Sequence, residues 1–204
     1  MSLSASALYD LKPRFQNLLD TPAEWLAERD TNPDVLTFAG VAAALVGGAA
    51  LAAGALGQQP LLWLVPAMAL ARLTFNALDG MVAVRTGRAR AWGKVLNELC
   101  DRLADLAFLV PLCLVPNINQ PLVAAAIATT LLVSYLGVLS EAAGARREYG
   151  GVLGKADRMV WLGLAAGVAA ADGDQILLRL LPALLLVGGL VTLVQRARRI
   201  HAAL

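Results

Sequence analysis

Val35–Leu56 reads VLTFAGVAAALVGGAALAAGAL and holds no charged side chain. A helix rises about 1.5 Å per residue, so a stretch of this length crosses the roughly 30 Å hydrocarbon layer of a bilayer. Comparable runs follow at Leu61–Leu78, Trp92–Val115, Pro121–Leu139, Met159–Ala171 and Ile176–Val194, giving six apolar segments in all. The fifth is short and must borrow residues from its flanks. Hydrophobic residues make up 58% of the 204, charged residues 16%, and mean hydropathy is +0.65. A soluble domain of that size needs far more polar surface. The expectation is an all-α polytopic membrane protein with six transmembrane helices. It forms a single membrane domain over residues 1–204, with an interfacial segment at 1–33 and a six-helix bundle at 34–200.

Outward from that first span, the N-terminal side is charged. Met1–Asp30 carries Lys12, Arg14, Glu24, Glu28 and Arg29 with no continuous apolar core, unlike a cleaved signal peptide. Tyr9, Phe15, Leu18, Leu19 and Trp25 suit an amphipathic helix lying along the membrane surface. A cap packed on the bundle fits them equally. Thr31-Asn32-Pro33-Asp34 reads as a turn and helix start. The connections alternate in charge. Arg85, Arg88, Arg90 and Lys94 fall in one, Arg146, Arg147, Lys155 and Arg158 in another, and Arg196, Arg198 and Arg199 in the tail. Gly57–Pro60, Pro116–Gln120 and Asp172–Gln175 hold no Lys or Arg. Basic connections stay cytoplasmic, so both termini are expected inside a multi-pass protein of the bacterial cytoplasmic (inner) membrane. The net charge of +2 follows from topology, and no basic and aromatic interleaving points to a nucleic-acid partner. Cys100 and Cys113 lack metal or disulfide spacing and read as free packing residues. His201 reads as an interface residue in the basic tail. Gly40, Gly47, Gly48 and Gly54 allow close helix packing.

Charges inside a spanning segment are costly and mark function by default. Here they gather. Arg72, Asn76 and Asp79 are spaced by four and three residues, so they share one face of the second span. Asn97, Asp101 and Asp105 recur every four residues on the third span, with Glu98 and Arg102 beside them. The other spans are nearly bare, apart from Glu141 and Arg179 near their ends. A short basic loop joins the two polar helices, so they are expected as antiparallel neighbours with opposed polar faces near the cytoplasmic boundary. Converging oxygen donors in a partly dehydrated site suit a hard cation, Mg²⁺ or Mn²⁺. Spacing alone also permits a structural ion-pair network, with Arg72 and Arg102 neutralising the carboxylates, or a cation transporter.

The order of residues is more specific. Asn76-Ala-Leu-Asp79-Gly80-Met-Val-Ala83-Val84 is followed, after eight residues, by Gly93, then Asn97 and Asp101 at intervals of four. This resembles the signature of the CDP-alcohol phosphatidyltransferase family, Asp-x2-Asp-Gly-x2-Ala-Arg-x8-Gly-x3-Asp-x3-Asp, without a gap. Asp79, Gly80, Ala83, Gly93 and Asp101 match in type, and the six-span layout agrees, so the resemblance covers essentially the whole chain. Three positions depart: Asn76 and Asn97 stand where the family has aspartate, and Val84 where it has arginine. An asparagine ligates through its carbonyl oxygen but brings no charge. Glu98 and Asp105 are candidates to restore it. Arg85 follows Val84 but is rotated about 100° on the helix.

The resemblance implies an enzyme that transfers a phosphatidyl or related phospho-alcohol group from a CDP-linked lipid donor, CDP-diacylglycerol, to a small alcohol acceptor, releasing CMP. It implies a metal site lined by Asn76, Asp79, Asn97 and Asp101, with Glu98 added here, and Asp101 as the catalytic base. It implies nucleotide approach at Gly80, Ala83 and Gly93, whose small side chains also serve helix packing. Lys155 and Arg158, in a partial match to a Gly-Lys-x-Lys-Thr-like element, are candidates for phosphate or headgroup contact with Arg72, Arg85 and Asp105; topological anchoring is the other reading. Arg146 and Arg147 read as anchors. The Asp101-Arg102-Leu103-Ala104-Asp105 run is similar to inositol-phosphate-using relatives but does not choose an acceptor. Homodimerisation is implied by the likeness alone. The alternative is a non-enzymatic integral membrane protein, either a cation transporter or a degenerate relative that binds nucleotide without turnover.

Overall fold

The computed structural model describes residues 15–204. The first part of the expected surface helix, with Tyr9, Lys12 and Arg14, lies outside the described residues. A short helix α1, Asp20–Glu28, leads to α2, Pro33–Ala55. Asn32 caps α2 by accepting the Asp34 N–H at 3.0 Å, and Pro33 takes a first-turn position whose missing N–H costs nothing. A 3-10 turn, Gln59–Trp63, then turns the chain into α3, Leu64–Arg85. Helix α4, Ala91–Leu109, ends in a second 3-10 turn at Val110–Leu114, where Pro111 has no N–H to continue the α-helical ladder. Helices α5, Gln120–Ala142, α6, Lys155–Asp172, and α7, Ile176–Ala203, complete the chain. Gly173, at φ 81°, stops α6 in the left-handed conformation that glycine adopts without penalty. The described residues form no strand.

Among the described residues, four helical stretches are long and apolar enough to cross a membrane: Pro33–Ala55, Gln59–Arg85, Gln120–Ala142 and Ile176–Ala203. The other two expected spans form as helices, α4 and α6, but differ in composition. Lys94, Glu98, Asp101, Arg102 and Asp105 lie on α4, and α6 opens with Lys155, Asp157 and Arg158. Their apolarity is lowered by these charges, which line a shared cleft except for Asp105, buried against Arg158.

The connections sort to two ends of the bundle. At one end Arg88 pairs with Asp30 at 2.6 Å, Lys94 with Glu141 at 3.4 Å and Arg199 with Glu148 at 3.1 Å. At the other, Gln59 donates to the Ala170 carbonyl at 3.1 Å and Gln175 to that of Gly54 at 3.4 Å. All basic connections therefore share one end and the connections without Lys or Arg share the other. Side chains such as Phe38, Leu45, Leu132, Leu164, Val187 and Leu190 stay exposed around the middle, as lipid-facing residues do.

The core fills the uncharged half, with Leu51, Leu62, Val65, Phe108, Leu112, Leu162, Leu178 and Leu185 all buried. Helix α2 packs on both α3 and α4, while α3 and α4 make few direct backbone contacts. Gly48 permits the α2–α4 approach: a Cβ there would sit 2.0 Å from the Ala107 carbonyl oxygen. Toward the basic end, α3 and α4 are bridged by polar side chains instead. A second cluster, Leu19, Ala23, Leu36, Leu78 and Val82, seats α1 on α2 and α3 at that end.

Candidate active site

The gap at the basic end is a cleft of about 2090 Å³, lined from α2, α3, α4, α6 and the loops around them. Helix α3 brings Asn76 and Asp79 to it, with Arg72 buried on the same face behind them, as their spacing requires. Helix α4 opposes them with Asn97 and Asp101. The Asn97 amide donates to Asp79 Oδ2 at 2.8 Å, and the Asn76 amide donates to Asn97 Oδ1 at 3.4 Å and to Asp101 Oδ1 at 3.3 Å. Arg72, itself buried, donates to Asp101 Oδ1. The four motif positions thus form one continuous hydrogen-bonded cluster.

Two members come from elsewhere in the chain. Thr37 of α2 donates its hydroxyl to Asp79 Oδ2 at 2.8 Å. Lys155, the first residue of α6, places Nζ 2.7 Å from Asn76 Oδ1 and also donates to Asp101 Oδ1. The start of α6 is set by Asp157, whose carboxylate accepts the Gly154 N–H at 2.7 Å. That capping aims Lys155 and Arg158, three residues apart, toward α4. Sequence reasoning did not find Thr37; its signal is one hydroxyl in an otherwise apolar span, next to the turn at the basic end.

The remaining α4 acids meet arginines. Asp105 accepts from Arg158 at 3.1 Å and lies 3.7 Å from Arg102. Glu98 pairs with Arg147 and lies 3.8 Å from Arg102. Both acids thus stand beside the four-residue cluster rather than within it. Arg147, read from the sequence as an anchor, faces the cleft. Arg196, also missed, is buried on α7 and donates to the carbonyls of Val133 at 2.6 Å, Tyr149 at 2.8 Å and Gly150 at 2.9 Å, which fastens the α5–α6 loop over the cleft. Among the described residues, the buried Nε atoms of Arg72, Arg102, Arg147 and Arg158 have no hydrogen-bond partner, although that of Arg102 lies 3.7 Å from Asp105. Buried donors of that kind are normally satisfied, and Arg102, Arg147 and Arg158 line the cleft.

The nucleotide candidates line the same cleft from α3 and α4. A Cβ on Gly80 would meet nothing within 4 Å, so its surface is open to the cleft. Ala83 and Gly93 line the same space, Gly93 with the Arg90 side chain 3.5 Å from its Cβ position. Arg85 sits at the rim, bonded to Asp20 of α1 at 2.7 Å.

The donor set decides what the cluster can hold. Among the described residues no group of three His, Cys, Asp or Glu side chains is gathered for a metal. Two carboxylates, Asp79 and Asp101, converge with the carbonyl oxygens of Asn76 and Asn97. An all-oxygen set of that kind fits Mg²⁺ or Mn²⁺ and is poorly suited to softer ions.

No protein-family model matches the chain. It is 35% identical over 158 residues to the inner membrane protein YnbA of Escherichia coli, covering 77% of each. It is 30% identical over 179 residues to the phosphatidylinositol phosphate synthase of Mycolicibacterium smegmatis, covering 84% of this chain and 78% of that protein. Among solved structures it is similar to the phosphatidylinositol phosphate synthase of Mycobacterium tuberculosis. With CDP-DAG bound, that structure gives a TM-score of 0.66 at 29% identity, over 88% of this chain and 92% of the other. The complex with manganese and citrate gives 0.67 at 29% identity, over 88% and 87%.

Proposed function

This chain belongs to the CDP-alcohol phosphatidyltransferase family, and we propose that it moves a phosphatidyl group from CDP-diacylglycerol to a phosphorylated small alcohol, releasing CMP. It is an integral membrane enzyme of phospholipid synthesis that uses Mg²⁺ or Mn²⁺. The observation that carries the reading is the hydrogen-bonded cluster of Asn76, Asp79, Asn97 and Asp101 facing a cleft beside open Gly80.

In this transfer the acceptor oxygen bonds to the phosphorus bearing the lipid, the bond from that phosphorus to the CMP oxygen breaks, and the hydroxyl proton leaves to a base. Such chemistry is mostly positioning and charge stabilisation. Asp79 and Asn97, with Asn76 and Asp101, would hold the cation, which supplies charge neutralisation to the pyrophosphate and the departing CMP. Asp101 is the proposed base. Arg72, Asn76 and Lys155 all donate to its Oδ1, whereas Oδ2 has Arg102 at 3.8 Å as its neighbour, on the arginine side of the cleft. Gly80, Ala83 and Gly93 let the nucleotide approach the helix backbones. Glu98 and Asp105 orient the arginines they bind, and Arg85 holds the rim.

The acceptor class is read from the gathering of Arg102, Arg147 and Arg158 along the cleft. Guanidinium groups bind phosphate through bidentate hydrogen bonds between opposite charges, which are stronger than those to an uncharged hydroxyl. Six spans with both termini and the cleft on the cytoplasmic side, a surface-lying N-terminal helix and a homodimer complete the proposal. The charge asymmetry of the two bundle ends supports the orientation. Labelled CDP-diacylglycerol, offered with matched pairs of free and phosphorylated alcohols, tests it. CMP release is expected with a phosphorylated member only, and release with free alcohols alone would overturn the acceptor assignment.

A further inference from the structure

At the resemblance's four acidic positions this chain holds only two carboxylates, and the ammonium of Lys155 sits among their oxygens. Its Nζ contacts Asn76 Oδ1 at 2.7 Å and bonds Asp101 Oδ1, oxygens from both polar helices. The side chain is 22% exposed. It is also the first residue of α6, where the helix dipole disfavours a positive charge. An ammonium so placed is held by what it contacts, and here that is the cluster. Each asparagine, meanwhile, does what an aspartate could not. Asn97 donates to Asp79, and Asn76 donates to Asp101 while accepting from Lys155.

Charge balance shows the consequence. The two charges of Asp79 and Asp101 are matched by Arg72 and Lys155, both bonded to Asp101, and Arg102 lies 3.8 Å from its other oxygen, so the cluster carries no net negative charge before any ion enters. One divalent cation would then match the doubly charged pyrophosphate of a CDP-linked diester. A further one would face the Lys155 ammonium across a few ångströms with no carboxylate to offset it, a repulsion that low local dielectric magnifies. We propose that Lys155 is a built-in cation of this site, seated by Asn76, and that the chain consequently binds a single divalent ion, next to Asp79 and Asn97. The inference rests on the functional reading above for its cation and substrate, but its test does not.

The test counts Mn²⁺ bound to the full chain in detergent, without substrate, by electron paramagnetic resonance of free ion after equilibrium dialysis. The wild type is expected to bind one per chain. Lys155→Met is expected to raise Mn²⁺ affinity by about tenfold or more, since a nearby positive charge is removed, and Asn76→Asp with Lys155→Met to bind two. Two ions in the wild type, or unchanged affinity in a monodisperse Lys155→Met, would overturn the proposal. Lys155→Gln serves if the methionine variant does not stay monodisperse. CMP release is measured in parallel. Two ions with CMP release removes the inference and keeps the transferase, while one ion without release from any CDP-linked donor keeps the inference and removes the transferase.

Discussion

Asp79 and Gly80 are adjacent residues whose roles separate cleanly. The Asp79 carboxylate accepts from Thr37 and Asn97, so Asp79→Asn keeps the shape but loses the charge that would hold a cation. CMP release should fall by about 10²–10³-fold, the usual scale for losing one electrostatic partner of a developing charge, with the protein still monodisperse in detergent. EDTA should abolish release in the wild type and Mn²⁺ restore it; full turnover in EDTA would sink the metal reading. Gly80→Ala adds a methyl group that meets nothing in the protein. Its melting temperature should match wild type while KM for the CDP-linked donor rises, because overpacking against ligand costs about 1–3 kcal/mol. An unchanged KM would show that no ligand passes Gly80. The asparagines were legible as departures from a family pattern, but their partners were not. Lys155 is 79 residues from Asn76 and Thr37 is 42 from Asp79, and no local periodicity links positions so far apart.

At the scale of elements, existence and approximate extent were legible because length and apolarity set them. Helices form over all six expected apolar segments, four of them long and apolar enough to cross a membrane among the described residues, and the polar faces of α3 and α4 oppose one another as their four- and three-residue spacing requires. Direct packing of those two helices did not follow. They are spread about α2, whose glycines admit α4 at close range, and the gap between them is the cleft. Gly48→Ala tests that arrangement: its Cβ would meet the Ala107 backbone oxygen, which cannot rotate away. A loss of about 1–3 kcal/mol is expected, read as a lower melting temperature in detergent with KM for the donor unchanged. A melting temperature equal to wild type would mean that α2 and α4 can separate freely.

For the whole molecule, the gathering of basic connections at one end predicts a fixed orientation. Single cysteines in a background lacking Cys100 and Cys113 should react with an impermeant reagent from outside intact cells at positions 117 and 172. Position 88, beside Asp30 at the basic end, should stay protected. Labelling at 88 from outside would overturn the orientation. The arginines of the cleft make a second prediction at this scale, since Arg102, Arg147 and Arg158 come from three separate elements. Arg147→Ala should raise KM for the phosphorylated acceptor by about tenfold or more, as expected when one charge-assisted hydrogen bond worth about 1.5–3 kcal/mol is lost, while KM for the donor holds.

The sequence by itself determined that this is a helical membrane protein with most of its intramembrane charges on two spans, because bilayer thickness dictates segment length and the cost of desolvation disfavours stray charge. It also determined the order of motif residues along α3 and α4, since helical pitch alone puts them on shared faces. Only the tertiary structure decided which charges neutralise which. Glu98, a candidate ligand by position, pairs with Arg147, and Lys155, a candidate headgroup contact, sits among the cluster's oxygens. Pairing at that level depends on distances of a few ångströms between separate helices. Those distances are set by how closely α2, α4 and α6 pack, and no local pattern in the sequence encodes them.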